Sequence, residues 1–190
     1  MITAIVIAVV IVLLLLWGVA IYNGLVRLRA LVKEGFSGIT VQLRRRADLI
    51  PNLVSTVEGY ASHERETLTQ VIEHRGDATA ARGVAATAQA DTAFSAMLGR
   101  LFAVAEAYPD LKADANFRQL QEELSEIEEH LQSARRYYNA TVRDLNTKIQ
   151  SFPNVLIARP MGFAEEEFYE DNDASIQSAP VVKFGSAAKA

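Results

Sequence analysis

Cysteine is absent from this 190-residue chain. That excludes disulfide frameworks, thiolate metal sites, thiol nucleophiles and lipid attachment through a thiol. Histidine is nearly as scarce. His63, His74 and His130 are preceded at the third position by Tyr60, Val71 and Ile127, so no Glu-x-x-His pair of the kind used by carboxylate-bridged metal sites in helical bundles occurs. Thr67 stands where a zincin helix beginning at His63-Glu64 needs its second histidine. A G-x-S-x-G elbow and a phosphate-binding glycine loop are also missing. No catalytic, cofactor-binding or metal-ligating residue is therefore assigned, and the expectation is a protein that is not an enzyme and needs no cofactor.

An excess of positive charge is missing as well. The 19 basic and 23 acidic residues give a net charge of -4, which argues against nucleic acid as a partner. Six acids, Glu165, Glu166, Glu167, Glu170, Asp171 and Asp173, stand near the C-terminus against Lys183 and Lys189, so a neutral body carries an acidic end.

What is present in excess is apolar sequence at the N-terminus. Residues 2–22 read ITAIVIAVVIVLLLLWGVAIY, without a charge and with Thr3 the one clearly polar side chain. As a helix at ~1.5 Å per residue this run spans about 30 Å, the thickness of a bilayer core. Trp17 and Tyr22 fit an interfacial belt. A cleavable signal peptide fits less well, although Gly18-Val19-Ala20 loosely resembles a cleavage site, because no basic residue precedes the run. Arg27, Arg29, Lys33, Arg44, Arg45 and Arg46 all follow it, which predicts an external N-terminus and a cytoplasmic remainder.

The rest of the chain reads as all-α. Phe117, Leu120, Leu124, Ile127, Leu131, Ala134, Tyr138, Thr141, Leu145, Ile149 and Phe152 recur at steps of three and four, predicting a helix of roughly ten turns with Asp114 as N-cap and Pro153 as stop. Leu25, Leu28, Val32, Phe36, Ile39 and Leu43 predict that the membrane helix continues into the soluble part. Pro51 predicts a break at 47–50, with Asp48 as cap and a second helix running on to His74 along Leu53, Val57, Tyr60, Leu68 and Val71. Gly76-Asp77 and Arg82-Gly83 bracket an alanine-rich region. A third segment then carries Phe94, Met97, Leu98, Leu101, Phe102 and Ala105 and ends at Tyr108-Pro109-Asp110. The best strand-like stretches, 155–157 and Val181-Val182, are too short to define a sheet. The expected architecture is a transmembrane helix (1–22) continuing into an antiparallel bundle close to a four-helix bundle (23–170), followed by a disordered tail (171–190).

Four sets of residues are candidates for chemistry or recognition. Glu122, Glu126 and His130 share a helix face and read as a solvated stripe. Arg44, Arg45 and Arg46 read as topology or salt-bridging residues, and Tyr137, Tyr138 and Phe152 as packing aromatics. Asp48, Asn52, Glu58, Asn139 and Asn146 lie along helices that should pack together, where buried members must find partners and so set the register of the bundle. Residues 154–170, NVLIARPMGFAEEEFYE, lack a helical period and suit a segment laid across the bundle or offered to a partner.

The runs NGLVRLRALVKEGFSGITVQLRRRADLIPNLVSTVEGYASHERETL, LGRLFAVAEAYPDLKADANFRQLQEEL and ARRYYNATVRDLNTKIQSFPNVLIA together resemble the signature of the bacterial LemA family. The resemblance covers the chain from the membrane helix to about Phe168. Phe36 stands where the family often has tryptophan and Ala47 where it often has histidine. It implies a single membrane helix in the bacterial inner membrane, a cytoplasmic bundle with a long hairpin-like arrangement, and homo-oligomers. It also implies links to membrane organisation, including magnetosome membranes, and to membrane-stress factors such as membrane proteases. It supplies no reaction and no functional residues. Two readings follow: a membrane-anchored scaffold that self-associates and organises or recruits membrane proteins, with the lipid bilayer and an unidentified membrane protein as partners, or an adaptor subunit that docks through residues 154–173.

Overall fold

The apolar run does not end as a helix at Tyr22. In the computed structural model, which describes residues 1–169, a single helix α1 (Ile2–Tyr60) runs through 59 residues. Its first twenty residues are almost wholly exposed and its buried stripe begins at Ile21. Five more helices follow: α2 (Arg65–Ala80), α3 (Val84–Ala105), the short α4 (Pro109–Ala113), the 36-residue α5 (Ala115–Gln150) and the short α6 (Val155–Ala158). The described residues contain no strand, and residues 155–157 form α6 instead. The expected tail at 171–190, with Val181-Val182, lies outside the described residues.

Helix α5 returns along α1 in a constant antiparallel register. Positions 24, 35, 38, 46 and 60 of α1 face 148, 138, 134, 128 and 114. Asp114 caps α5 as its sequence position predicts, accepting the Phe117 N–H at 2.9 Å, and that hydrogen bond holds its carboxyl below the ordinary range. The predicted seam is buried at Phe117, Leu120, Leu124, Leu131, Tyr138, Thr141, Leu145 and Ile149. Ile127 and Ala134 are half-buried, and Phe152 falls beyond the helix end and is exposed.

Two apolar clusters line this hairpin. At the end remote from the apolar run, α2 and α3 fold back against the tip, and Ile50, Leu53, Val57, Leu68, Val71, Phe94, Leu101, Leu111 and Phe117 share a core. This is the four-helix part of the molecule. Nearer the apolar run the second cluster is built mainly from α1 and α5, through Leu25, Ile39, Leu131, Tyr138 and Leu145, with Ala88 from the start of α3, Ala158 of α6, and Phe163 and Tyr169 from the C-terminal segment completing it.

The structure corrects the expected break at 47–50. Pro51 lies inside α1 on its exposed side and Asp48 caps nothing. A proline removes the N–H that would bond the carbonyl four residues back, here the buried Ala47. Arg75 from α2 replaces it, its Nε donating to the Ala47 carbonyl oxygen at 2.7 Å. The real break is at 61–64, which no glycine or proline marks. Turning there brings Leu68 and Val71 back onto the core that Leu53 and Val57 line, worth about 1.5–3 kcal/mol for each side chain buried. Helix α2 also passes through Gly76-Asp77 and ends at Ala80, and Gly83, with φ +81°, makes the turn into α3.

Candidate functional site

Helix α3 carries one acid, Asp91, among alanines and apolar residues, and it is fully buried. A lone buried carboxylate requires compensation. Arg46 of α1 and Arg135 of α5 each donate to one of its oxygens, and the Tyr169 hydroxyl donates to Oδ2 at 2.7 Å. Arg46 also donates to Glu128 Oε2 at 3.0 Å and to Ser95 Oγ at 3.1 Å, while Arg135 Nη1 lies 3.7 Å from Glu128 Oε1. Two guanidiniums thus face two carboxylates in a neutral cluster. Each guanidinium also covers an aromatic ring, Arg46 over Phe94 at 5.0 Å and Arg135 over Tyr169 at 5.5 Å. Burial pushes the Tyr169 hydroxyl far above the ordinary tyrosine value, and Asp91 beside it adds to the effect. Burial by itself would lower Arg135, but the Asp91 charge and hydrogen bond outweigh it and raise the group. Both stay in the protonated form that donates to Asp91.

Tyr169 reaches this cluster because residues 163–169 run back along α5 as an extended strap, and two asparagines hold it. Asn146 donates from Nδ2 to the Glu166 carbonyl and accepts the Glu166 N–H, each at 2.9 Å. Asn139 does the same for Tyr169, at 3.0 and 2.8 Å. A carboxamide offers one acceptor and one donor side by side, as the edge of a β-strand does, so each asparagine satisfies both backbone groups of one strap residue. The spacing fits. Seven residues of helix rise about 10.5 Å, and three residues of extended chain cover about 10 Å. Tyr138, next to Asn139, donates its hydroxyl to the carbonyl of Glu167, which lies between the two clamped strap residues, at 2.7 Å, and burial, with Glu166 and Glu167 adding, pushes its pKa up to about 12. At the start of the strap Phe163 packs edge-on against Tyr22 at 5.7 Å and lies under Arg29 at 5.5 Å.

The polar residues singled out in the sequence separate accordingly. Asn139 and Asn146 do find partners, but they fix the strap and not the register of the helices. Asp48, Asn52 and Glu58 face solvent. Glu122, Glu126 and His130 form an exposed stripe in which His130 Nε2 stands 3.6 Å from Glu126 Oε1. Of the arginine triplet, Arg44 and Arg45 are exposed and Arg46 is the salt-bridging residue. Tyr138 is buried and Tyr137 half-exposed. Residues 163–169 lie across the bundle, the first of the two placements the sequence allows. Sequence reasoning missed Asp91, Glu128, Arg135 and Tyr169. The available signal was Asp91 itself, the lone acid of an alanine-rich amphipathic helix.

Chemically the cluster ties α1, α3, α5 and the strap together. Its carboxylates are engaged by arginine and tyrosine donors, and among the described residues no group of three His, Cys, Asp or Glu side chains could hold a metal ion.

The sequence profile of the LemA family matches residues 35–184. The magnetosome protein MamQ 2 of Paramagnetospirillum magneticum is 25% identical over 179 residues, covering 80% of this chain and 66% of that protein. The magnetosome protein MamQ of Magnetospirillum gryphiswaldense is 23% identical over 182 residues, with the same coverage. Protein LemA of Metamycoplasma hominis is 27% identical over 144 residues, 73% of this chain and 64% of that one. The matched region is thus somewhat under two thirds of the length of these relatives.

Proposed function

This chain belongs to the LemA family, and from that premise we propose that it is a non-catalytic membrane-anchored scaffold, which self-associates and organises or recruits other membrane proteins. The observation that carries the reading is the continuity of α1. One helix is apolar and exposed over the length of a bilayer and then, without a joint, becomes the central rod of the bundle. Such a helix transmits the position and tilt of the anchor to the tip of the molecule, where a hinge at Pro51 would have uncoupled them. From residue 23 to residue 60 it extends about 55 Å. The basic residues that follow the apolar run favour a cytoplasmic bundle and an external N-terminus. Family resemblance supports self-association, and the naming of relatives as magnetosome proteins supports a role in membrane organisation.

Chemical crosslinking in native membranes, followed by capture of the full-length protein and mass spectrometry, tests this. The expected result is crosslinks between copies, concentrated on residues 117–152. Recovery of one stoichiometric foreign membrane protein with no crosslinks between copies would overturn the scaffold reading in favour of an adaptor, and that protein's activity would become the assay.

A further inference from the structure

Between the end of α5 and the strap, residues 151–162 turn at the foot of the hairpin, and three of their large apolar side chains point outward. Phe152 is 79% exposed, Leu156 64% and Met161 61%, whereas Ala158 is fully buried against the bundle. The position of this turn along α1 is fixed at two places. Phe163 packs on Tyr22, and a methyl group on Gly18 would stand 3.8 Å from Ile157 Cδ1. Helix α6 therefore lies beside the last turn of the apolar run, and the foot overlaps that run by four residues, about 6 Å. If residues 2–22 cross the bilayer, the foot cannot stand in bulk water. It lies at the depth where interfacial apolar segments sit, about 5–10 Å into the headgroup and acyl boundary.

Charge points the same way. Residues 151–162 carry a single charge, Arg159, and the next bases along the rod are Lys148 opposite Gly24 and Arg29 over Phe163, while the nearest acids, Asp144 and Glu165 to Glu167, lie beyond the foot at the level of Asn146. Basic side chains just outside an apolar contact suit anionic headgroups.

We propose that residues 152–161 form a second membrane contact, in which Phe152, Leu156 and Met161 insert into the interface of an anionic bilayer beside the membrane helix and Arg159 meets the headgroups. The proposal rests on the anchored reading above. With two contacts on one face, the hairpin cannot spin freely about the axis of α1, so the rod leaves the membrane with a defined rotational setting.

The absence of cysteine makes the test direct. Single variants Leu14→Cys, Leu156→Cys, Met161→Cys and Gln121→Cys, all at exposed positions, carry an environment-sensitive dye on the full chain. The chains are reconstituted in vesicles of phosphatidylcholine and phosphatidylglycerol containing lipids spin-labelled either near the headgroup or at the acyl terminus. Dye at 156 and 161 is expected to emit blue-shifted light that is quenched by the shallow label, dye at 14 to be quenched by the deep label, and dye at 121 to be quenched by neither. If 14 is quenched while 156 and 161 emit like 121, the foot is in water and the proposal fails with the anchor intact. If 14 also emits as in water, the anchored reading fails and the foot with it. A blue shift at 156 and 161 that no lipid quenches and that disappears when the protein is diluted in lipid would show a second copy covering the foot, and would also overturn the proposal.

Discussion

Gly35 and Gly38 lie about one turn apart on α1 and face the same helix, yet an added methyl group would meet different surroundings at each. At Gly35 it would stand 3.1 Å from the backbone Cα of Tyr138 and 3.4 Å from the Tyr137 ring. The backbone of α5 cannot yield as a side-chain tip can, so overpacking there costs about 1–3 kcal/mol. At Gly38 the nearest atom would be Ala134 Cβ at 4.0 Å, an ordinary contact. Alanine is the better helix former by about 1 kcal/mol at either site. Gly38→Ala is therefore expected to stabilise the protein, and Gly35→Ala to leave stability unchanged or lower it by up to about 2 kcal/mol. Thermal unfolding of the two full-length variants side by side in detergent checks this. Equal stabilisation by both would mean that the close approach of α1 and α5 at Gly35 is not needed. The sequence shows two glycines in a helix, and only the position of Tyr138 across the hairpin tells them apart.

At the scale of the element, the long helix tolerates Pro51 because Arg75, 28 positions beyond Ala47, completes its hydrogen bonding. The Ala47 carbonyl is buried, so the loss of the Arg75 donor leaves an acceptor unpaired and costs about 1–3 kcal/mol. Arg75→Met, which keeps the apolar stem, is expected to destabilise the native background by about 1–2 kcal/mol. In a Pro51→Ala background the helix regains its own N–H, and the same change should then cost much less. Chemical unfolding of the four proteins of this double-mutant cycle gives the coupling directly. Identical losses in the two backgrounds would sink the account. The same case shows what was legible. Helix α5 could be read because its signals are local: a cap at Asp114, a seam repeating at three and four, and the absence of breakers until Pro153. The break assigned to Pro51 was wrong because the local rule is sound but its remedy comes from α2. The turn at 61–64 was missed for the converse reason, since Ala61, Ser62, His63 and Glu64 contain no breaker and the chain turns there to bury Leu68 and Val71. Asn139 and Asn146 could be marked as polar groups in need of partners, but the partner was a backbone segment without periodicity, which carries no pattern of its own. Asp91 was passed over because one acid on an amphipathic helix ordinarily faces water.

For the whole molecule, the two clusters divide the work unevenly. The remote end is a four-helix core that needs nothing from the C-terminal segment. The end near the apolar run is a two-helix hairpin, a poor core by itself, and it is closed by the strap through Phe163, Tyr169, both asparagine clamps and the Tyr138 hydroxyl. Ending the chain at Gly162 removes those contacts together with the tyrosine donor to Asp91. Six hydrogen bonds at about 1 kcal/mol each and two buried aromatics at about 1.5–3 kcal/mol each are offset by the entropy of seven ordered residues at about 1 kcal/mol each, leaving a net loss of roughly 2–5 kcal/mol. That loss should be local. Amide hydrogen exchange on the truncated protein is expected to speed up along residues 131–149 and the facing stretch 25–43, with little change at Leu98, Leu101, Leu120 and Leu124. The double variant Asn139→Ala, Asn146→Ala, which keeps the aromatic residues and the full length, should reproduce the pattern at smaller amplitude. If exchange instead rises evenly over both ends, the molecule is one cooperative unit and the strap supports all of it. If it rises at neither, the two-helix part is stable on α1 and α5 packing alone, and the clamps serve only to place Tyr169 on Asp91.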